Sequence, residues 1–329
     1  MRMRPWVAAA SLLGGLALPA PSRAFASPEE VAPTPAPEAH ALERRLSEEF
    51  NYDDPAGTEQ RLRRLCQEVE ATHDVAALTE VLTQVARAQA LQGHLDEAAT
   101  TLDRAEALGS GALLPRVRLL IERGRLLRRQ GKGEDARAAF EEAYRLAVAG
   151  GEQAPAADAA HMLALLLPFE AAAAWVDRGL VLAEGSADPA VRRWAGVLAY
   201  NWGWRLDEHG DHSAAALSFA RALACRRIEN DAPVVRTTEF ALATELRKIG
   251  LAAQALAIQE RLLAEAKSAK EPFVDILVER VEDLSALGRG EDARAAAGEA
   301  LRTLGKNELS AGQIERLRQL AEAKSFDRR

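Results

Sequence analysis

A skeleton of glycine and small residues recurs along this chain and constrains its fold more than any other feature. Successive glycines are separated by 38, 79, 40 and 38 residues, and each is followed five residues later by an alanine. The interval of 79 contains two periods, because Leu167-Pro168 replaces one glycine there and is followed by Ala172 and Gly179. The chain therefore contains six copies with a period of about 39 residues. The aligned glycines are Gly93, Gly131, Gly210, Gly250 and Gly288, and the alanines that follow are Ala98, Ala136, Ala215, Ala255 and Ala293.

The spacing within each copy predicts two helices joined by a tight turn. A second small residue follows the first after seven positions, with Leu262 as the exception, and residues seven apart share one helix face. That face allows a partner helix to approach closely. The glycine suits the left-handed conformation that ends a helix. Prolines fit the first turn of each following helix, where no N–H is needed: Pro115, Pro155, Pro189, Pro233 and Pro272.

Composition supports helices and argues against a nucleic-acid partner. Of the 329 residues, 48% are hydrophobic but only 5% aromatic, so alanine and leucine supply the apolar mass. The net charge is −7. We therefore do not expect an acidic chain of this kind to bind nucleic acid.

The repeated motifs resemble the tetratricopeptide repeat family. "LIERGRLL" and "AYNWGWRL" place Gly124 and Gly203 where that family has the glycine of its first helix, and Ala136-x3-Phe140 and Ala215-x3-Phe219 match its second helix. The period is longer than the usual 34 residues, as in bacterial members with repeats of about 39 residues, and the sixth copy has Val281 in place of the glycine. The resemblance covers residues 75–305. It implies an all-α, right-handed α-solenoid of helix-turn-helix repeats, with helix A lining the concave groove.

The segments outside the repeats indicate export and capping. Residues 1–26 combine a basic start, an apolar run and the A-x-A site Ala24-Phe25-Ala26. This pattern predicts a signal peptide that is cleaved before Ser27, and therefore a periplasmic or secreted protein. An uncleaved anchor is the alternative. Residues 27–38 form a Pro-rich acidic segment that we expect to be a disordered linker. Residues 39–74 predict N-terminal capping helices, with Thr58 as an N-cap. In residues 306–329, Ser310 and Gln313 predict a capping box that opens a terminal helix.

The sequence contains no arrangement typical of an enzyme or a cofactor site. Its glycines are not clustered into a phosphate loop, and no nucleophile elbow is present. His209 and His212 flank a turn, but no cysteine or further histidine completes a zinc site, so we expect no metal. Cys66 and Cys225 lie in distant helices and are expected to be free thiols.

Two groups of helix-A residues are candidates for partner binding. The first is basic, and the tetratricopeptide pattern places its arginines near the groove, where they could clamp an acidic peptide. The alternative is a solvated face in which these arginines pair with Glu134, Glu141 and Glu142 of the next helix. The basic group is Arg87, Arg118, Arg125, Arg128 and Arg129.

The second group is aromatic. Trp194, Leu198, Trp202 and Leu206 share one helix face, which we assign to the core. Trp204 lies about 200° away from Trp202 on the same helix, which predicts a groove position, although contact between adjacent helices A is the alternative. The remaining groove positions add Tyr200, Glu208, His161, Phe240 and Arg247.

These patterns favour an exported, non-enzymatic scaffold that binds a protein or peptide in its concave groove. No membrane span is expected in the mature protein. A structural module that self-assembles into a homo-oligomer through an end or the convex face is the alternative, and a small-ligand sensor or an enzyme is a remoter one.

Overall fold

The computed structural model describes residues 37–270, 273–303 and 309–322, with side chains from residue 41. The predicted signal peptide and its cleavage site lie outside these residues, as does most of the predicted linker. The described residues form fifteen α-helices and no strand. They are α1 (Pro37–Glu49), α2 (Pro55–Thr72), α3 (Val75–Leu91), α4 (Leu95–Ala107), α5 (Leu113–Arg129), α6 (Gly133–Gly150), α7 (Gln153–Leu166), α8 (Phe169–Gly185), α9 (Pro189–Glu208), α10 (His212–Glu229), α11 (Ala232–Lys248), α12 (Ala252–Ala269), α13 (Val274–Ala286), α14 (Gly290–Thr303) and α15 (Ala311–Glu322).

The six predicted repeats are confirmed as helix pairs, from α3/α4 to α13/α14. All five turn glycines have positive φ angles, between 69° and 87°, so each ends a helix A in the left-handed conformation. In the third repeat, Leu167 and Pro168 make the turn without glycine, and Leu167 is extended. Pro115, Pro155, Pro189 and Pro233 all lie within the first three residues of their helices, as predicted, and Pro272 lies outside the described residues.

The small-residue skeleton lies at the contact between the helices of each pair. The first alanine of every repeat is at most 3% exposed. In the second and fourth repeats a phenylalanine of helix B packs directly on a glycine of helix A: a Cβ atom on Gly124 or Gly203 would lie 2.6 Å from the ring of Phe140 or Phe219. Both rings are fully buried. The glycine therefore makes room for the ring, and the repeat register predicted from sequence is confirmed.

The helices are arranged in two compact units, one ending at Leu198 and one starting at Ala199, within α9. Inside each unit, helices pack against their neighbours in sequence. Helices A also contact each other directly: α3 with α5 and α5 with α7 in the first unit, and α11 with α13 in the second. Within the described residues, no helix combines the length and apolarity needed to cross a bilayer.

The two ends of the repeat array refine the sequence predictions. At the N-terminus, α2 starts at Pro55 and is capped by Asp54, whose carboxylate accepts a hydrogen bond from the N–H of Gly57 at 2.9 Å, so the assignment of Thr58 as the cap is wrong. Thr58 is instead buried and its hydroxyl bonds to Asn51. At the C-terminus the capping box is confirmed, with the Ser310 N–H donating to the Gln313 side chain at 2.9 Å. Neither Cys66 nor Cys225 forms a disulfide bond.

Candidate binding surface

A ladder of ion pairs crosses the helices A of the first unit. Arg87 on α3 lies 3.6 Å from the carboxylate of Glu122 on α5. Arg125, three residues further along α5, also pairs with Glu122 and extends to Asp158 on α7 at 2.5 Å. Each rung thus joins one repeat to the next through side chains on adjacent helices A. We call these four residues the arginine ladder.

The ladder corrects the pairing expected from sequence. Glu134 makes no pair with these arginines, while Glu141 and Glu142 bind Arg137 and Arg145 of their own helix. Glu142 also lies 3.8 Å from Arg116 on α5, outside the basic group. A third arginine of the basic group, Arg118, pairs with Glu80 and Glu43, both at 3.1 Å. The acid partners therefore lie on neighbouring inner helices and not on the following helix B.

The pKa values in the ladder reflect burial opposed by opposite charge. Burial alone would raise the pKa of the Asp158 carboxyl, but Arg125 and Arg87 outweigh it and hold that pKa below its usual value. Burial likewise opposes the charge of Arg125, and Asp158 and Glu122 raise its pKa nevertheless. Arg125 and Asp158 are therefore both charged, and their opposite charges neutralise each other. At Glu80 burial dominates over Arg118 and raises the pKa to about 6.

Arg128 and Arg129 end α5 without a carboxylate partner among the residues that the structure describes, and both are exposed. The pKa of the Arg128 guanidinium is lowered by partial desolvation and by the nearby positive charges of Arg125 and Arg129. Across this surface the ladder and these two residues contribute four guanidinium groups against the carboxylates of Glu122 and Asp158. Two positive charges are left uncompensated in an otherwise acidic chain.

Aromatic rings border this basic patch. Tyr52 is 59% exposed, accepts a hydrogen bond from Arg87 at 2.7 Å and stacks beneath its guanidinium at 5.3 Å. On α7, His161 lies near Arg125 and Arg128, and its ring is 5.7 Å from that of Trp194. Burial lowers the pKa of His161 to about 4, so the imidazole is neutral at pH 7. The structure thus places His161, which the sequence assigned to the aromatic group, beside the basic group.

In the second unit the predicted aromatic group is partly packed. The Trp204 ring lies 5.2 Å from that of Phe219 and 6.1 Å from that of Tyr200, both edge-on. Trp204 therefore rests on a core residue of its own helix B, a contact that neither sequence-based alternative included. Trp202 and Trp194 are half-buried, whereas Leu198 and Leu206 are buried as predicted.

Arg226, which the sequence argument missed, completes this aromatic group. Its guanidinium stacks on Tyr200 at 4.1 Å and donates to the hydroxyl of buried Thr238 at 2.6 Å. Arg226 lies near the end of helix B, where the repeat pattern gives no reason to expect a contact with the inner helix.

The other predicted residues of the second unit have different environments. Glu208 is exposed at the end of α9, and Phe240 is half-buried on α11. Arg247 is neutralised: its guanidinium lies 2.8 Å from Glu279 and 3.3 Å from Asp283, both on α13.

Asp283 is 1% exposed and neither oxygen accepts a hydrogen bond from a described residue. Burial, with Glu279 and Glu282 nearby, raises its pKa to about 7 against the opposing charge of Arg247.

His212 stands in a separate polar cluster of the second unit. Its Nδ1 atom lies 3.0 Å from an oxygen of Asp207 and 3.0 Å from an oxygen of Glu245. Lys248 bonds to the same two carboxylates, with Glu245 at 2.7 Å. We call Asp207, His212, Glu245 and Lys248 the His212 cluster. The sequence argument considered only cysteine and histidine as companions of His212, and so it overlooked carboxylates five residues before and 33 residues after.

The inner-helix ion pairs had a sequence signal of their own. Arg87 and Arg125 directly follow the small residue of helix A, and their partners Glu122 and Asp158 both lie two residues before it in the next repeat. A search for opposite charges 32 to 35 residues apart would have found them and also Arg247 with Glu279.

Comparisons with known proteins identify the fold. No family model and no curated protein matches the sequence. Among solved structures, BtubC (BKLC) from P. vanneervenii is 20% identical with a TM-score of 0.53, over 70% of this chain and 92% of that one. A signal transduction ATPase of the STAND class with a tetratricopeptide repeat sensor, from Pyrococcus horikoshii, is 13% identical with a TM-score of 0.65. That match covers 86% of this chain but 43% of the other. The fold is tetratricopeptide-like, as the sequence motifs predicted.

Proposed function

We propose that the protein is an interaction scaffold that binds an extended acidic segment of a partner protein on the helices A of its first unit, with Arg128 and Arg129 as anchors. The single observation that supports this is the pair of guanidinium groups at the end of α5, which repel each other and lack a carboxylate partner among the described residues. An acidic side chain or a C-terminal carboxylate would neutralise them through charge-assisted hydrogen bonds.

The surroundings of these arginines fit an extended peptide. Arg87 and Arg125 are already neutralised and fixed by the ladder, so they shape the surface without drawing a second anion to it. Tyr52 offers an exposed ring beside them. Helical repeats generally offer an extended surface to their partners, and aromatic and arginine residues together are typical of binding hot spots.

Arginine at the end of a helix has another explanation, since positive charges there interact favourably with the helix dipole. The two explanations differ in outcome. Removal of a dipole interaction lowers stability and leaves binding unchanged, whereas removal of an anchor lowers binding.

The test is the binding of a fluorescein-labelled decaglutamate peptide, followed by fluorescence anisotropy at low and high NaCl. The doubly substituted Arg128→Ala, Arg129→Ala protein should bind about tenfold more weakly or worse, which corresponds to roughly 1.4 kcal/mol. The affinity of the unsubstituted protein should fall with salt, because surface charges are screened.

The matched control is Arg137→Ala with Arg145→Ala, which removes the same charge from two exposed arginines that pair within α6. It should bind like the unsubstituted protein. Equal loss in both double variants, or no binding of decaglutamate by the unsubstituted protein, would contradict an acid-binding role for Arg128 and Arg129.

Export is a separate part of the proposal and rests on the A-x-A site. N-terminal sequencing of the protein from an exported fraction should begin at Ser27. Protein that retains Met1 and stays in the cytoplasm would contradict it.

A further inference from the structure

We propose that Asp207, His212 and Glu245 form a binding site for a divalent transition-metal ion, with zinc as the reference ion, and that the ammonium group of Lys248 holds the site when no metal is present. The inference concerns the second unit and does not depend on the proposed peptide-binding surface.

The geometry of the three ligand atoms suits such an ion. The Nδ1 atom of His212 lies 3.0 Å from Asp207 Oδ1 and 3.0 Å from Glu245 Oε2, and all three atoms lie within 4.8 Å of one another. Zinc binds imidazole nitrogen and carboxylate oxygen at about 2.1 Å, which places neighbouring ligand atoms roughly 3.0–3.4 Å apart. An ion could therefore bind between these atoms with small side-chain movements, and water would complete its coordination.

The charge of the cluster also favours a second cation. Two carboxylates converge here, and that of Glu245 has no exposure to solvent. Lys248 supplies one positive charge, so the cluster keeps one excess negative charge while the imidazole is neutral. A buried carboxylate without full compensation is costly. A divalent ion would neutralise both carboxylates, and the lysine side chain, which is 26% exposed, could withdraw into solvent.

The ligand set does not follow from repeat packing. His212 lies two residues after its turn glycine, where the other repeats that have this glycine place leucine, glycine or alanine. Glu245 lies five residues before its glycine, where the first two repeats have Ala88 and Leu126 and the fourth and sixth have Arg205 and Asp283. Helix packing is thus satisfied by apolar residues at both positions. Imidazole with carboxylates selects transition metals, since calcium and magnesium prefer sites made of oxygen alone.

The proposed site joins three elements of one unit. Asp207 is on the last turn of α9, His212 opens α10, and Glu245 is on α11. A metal ion bound by all three would cross-link the fourth repeat to the fifth. It would also stabilise the folded state, by an amount that grows with the logarithm of the metal concentration once this exceeds the dissociation constant.

The experiment is a titration of the full chain with ZnCl₂ by calorimetry, together with the visible absorption spectrum of the Co²⁺ complex. We expect one equivalent of zinc to bind, and we expect the d–d bands of Co²⁺ to change from those of the hydrated ion when it binds to the protein. His212→Ala should weaken binding by about tenfold or more. Lys248→Met should strengthen it, because the competing ammonium group is removed and the methylene chain is kept.

Two further variants complete the design. Asp207→Asn preserves the size of the side chain and should weaken zinc binding, which keeps the test decisive if the alanine variant folds poorly by circular dichroism. His94→Ala is the matched control, since His94 is an exposed histidine with one carboxylate, Glu97, at 4.0 Å. It should bind zinc as the unsubstituted protein does. Zinc binding that is unaffected by His212→Ala and Asp207→Asn, or no stoichiometric binding by the unsubstituted protein, would show that the cluster is a structural ion pair and overturn the proposal.

Discussion

Arg128 and Arg247 occupy the same position in two different repeats, three residues before the turn glycine, and their surroundings differ. Arg247, in the second unit, lies between the carboxylates of Glu279 and Asp283. Arg128, in the first unit, is next to the like charges of Arg125 and Arg129 and has no carboxylate partner among the described residues. The position that Asp283 occupies after Arg247 is occupied by Met162 after Arg128.

The difference shows that packing and charge vary independently in this fold. Phe140 and Phe219 pack on Gly124 and Gly203 with the same contact distances, so the apolar contact between helices A and B is preserved from one unit to the other. The polar partners on the helix-A surface are not constrained by that contact. One arginine is therefore part of an internal ion pair, while its counterpart is available to a partner.

The largest expected effect tests the shared packing. Phe140→Ala and Phe219→Ala should each lower the free energy of unfolding by roughly 3–5 kcal/mol, since both rings are fully buried. Chemical denaturation measures both variants. Closely similar losses would support equal packing in the two units, whereas a large loss in one variant alone would mean that the two repeats are not equivalent.

The next effect concerns Asp283, the partner that Arg128 lacks. Because the pKa of Asp283 is raised to about 7 in the folded chain, the folded state binds more protons than the unfolded state between about pH 4 and pH 7. Its contribution to stability is therefore lost as the pH rises through this window. Asp283→Asn should raise the stability at pH 8 by roughly 2–4 kcal/mol relative to the unsubstituted protein, and by much less at pH 4.

Denaturation curves at several pH values measure this difference. The comparison of the two proteins at each pH cancels the titration of the other carboxylates. A difference that does not change with pH would mean that Asp283 is ionised throughout the range.

A smaller effect separates the two arginines themselves. Arg247→Ala leaves buried Asp283 without a cation and should lower the free energy of unfolding by about 1–3 kcal/mol, with decaglutamate binding unchanged. Arg128→Ala should show the reverse pattern: little loss of stability, because the side chain is exposed, and a measurable loss of peptide affinity.

Chemical denaturation measures the stability of both variants, and fluorescence anisotropy measures their affinity for decaglutamate. Weaker peptide binding after Arg247→Ala would extend the acidic surface to the second unit. A loss of stability after Arg128→Ala with unchanged binding would favour the helix-dipole explanation.

The sequence predicted the repeat and its register because both depend on local requirements. A turn glycine and two small residues seven positions apart can be recognised in a single sequence, and the structure confirms all six copies. Local rules also gave the capping box at Ser310. They failed at Thr58, because both Asp54 and Thr58 are suitable caps and the choice depends on the contact of Thr58 with Asn51.

The candidate sites were predicted less completely, since they depend on side chains from different repeats. Periodicity placed the basic group on helix A but did not show which arginines are neutralised. It placed Trp204 opposite Trp202, although the Trp204 ring in fact rests on Phe219. Arg226 and the carboxylates around His212 come from other helices, so no pattern within one helix indicated them.

By itself the sequence determined an all-helical repeat of about 39 residues, the helix faces that meet within each pair, and the predominance of arginine on one inner helix. The tertiary structure alone decided which charges are paired. An ion pair between inner helices depends on the distance between side chains some 33 residues apart, and that distance is set by helix packing and not by helix periodicity. For the same reason, only the folded chain distinguishes Arg128 from Arg247.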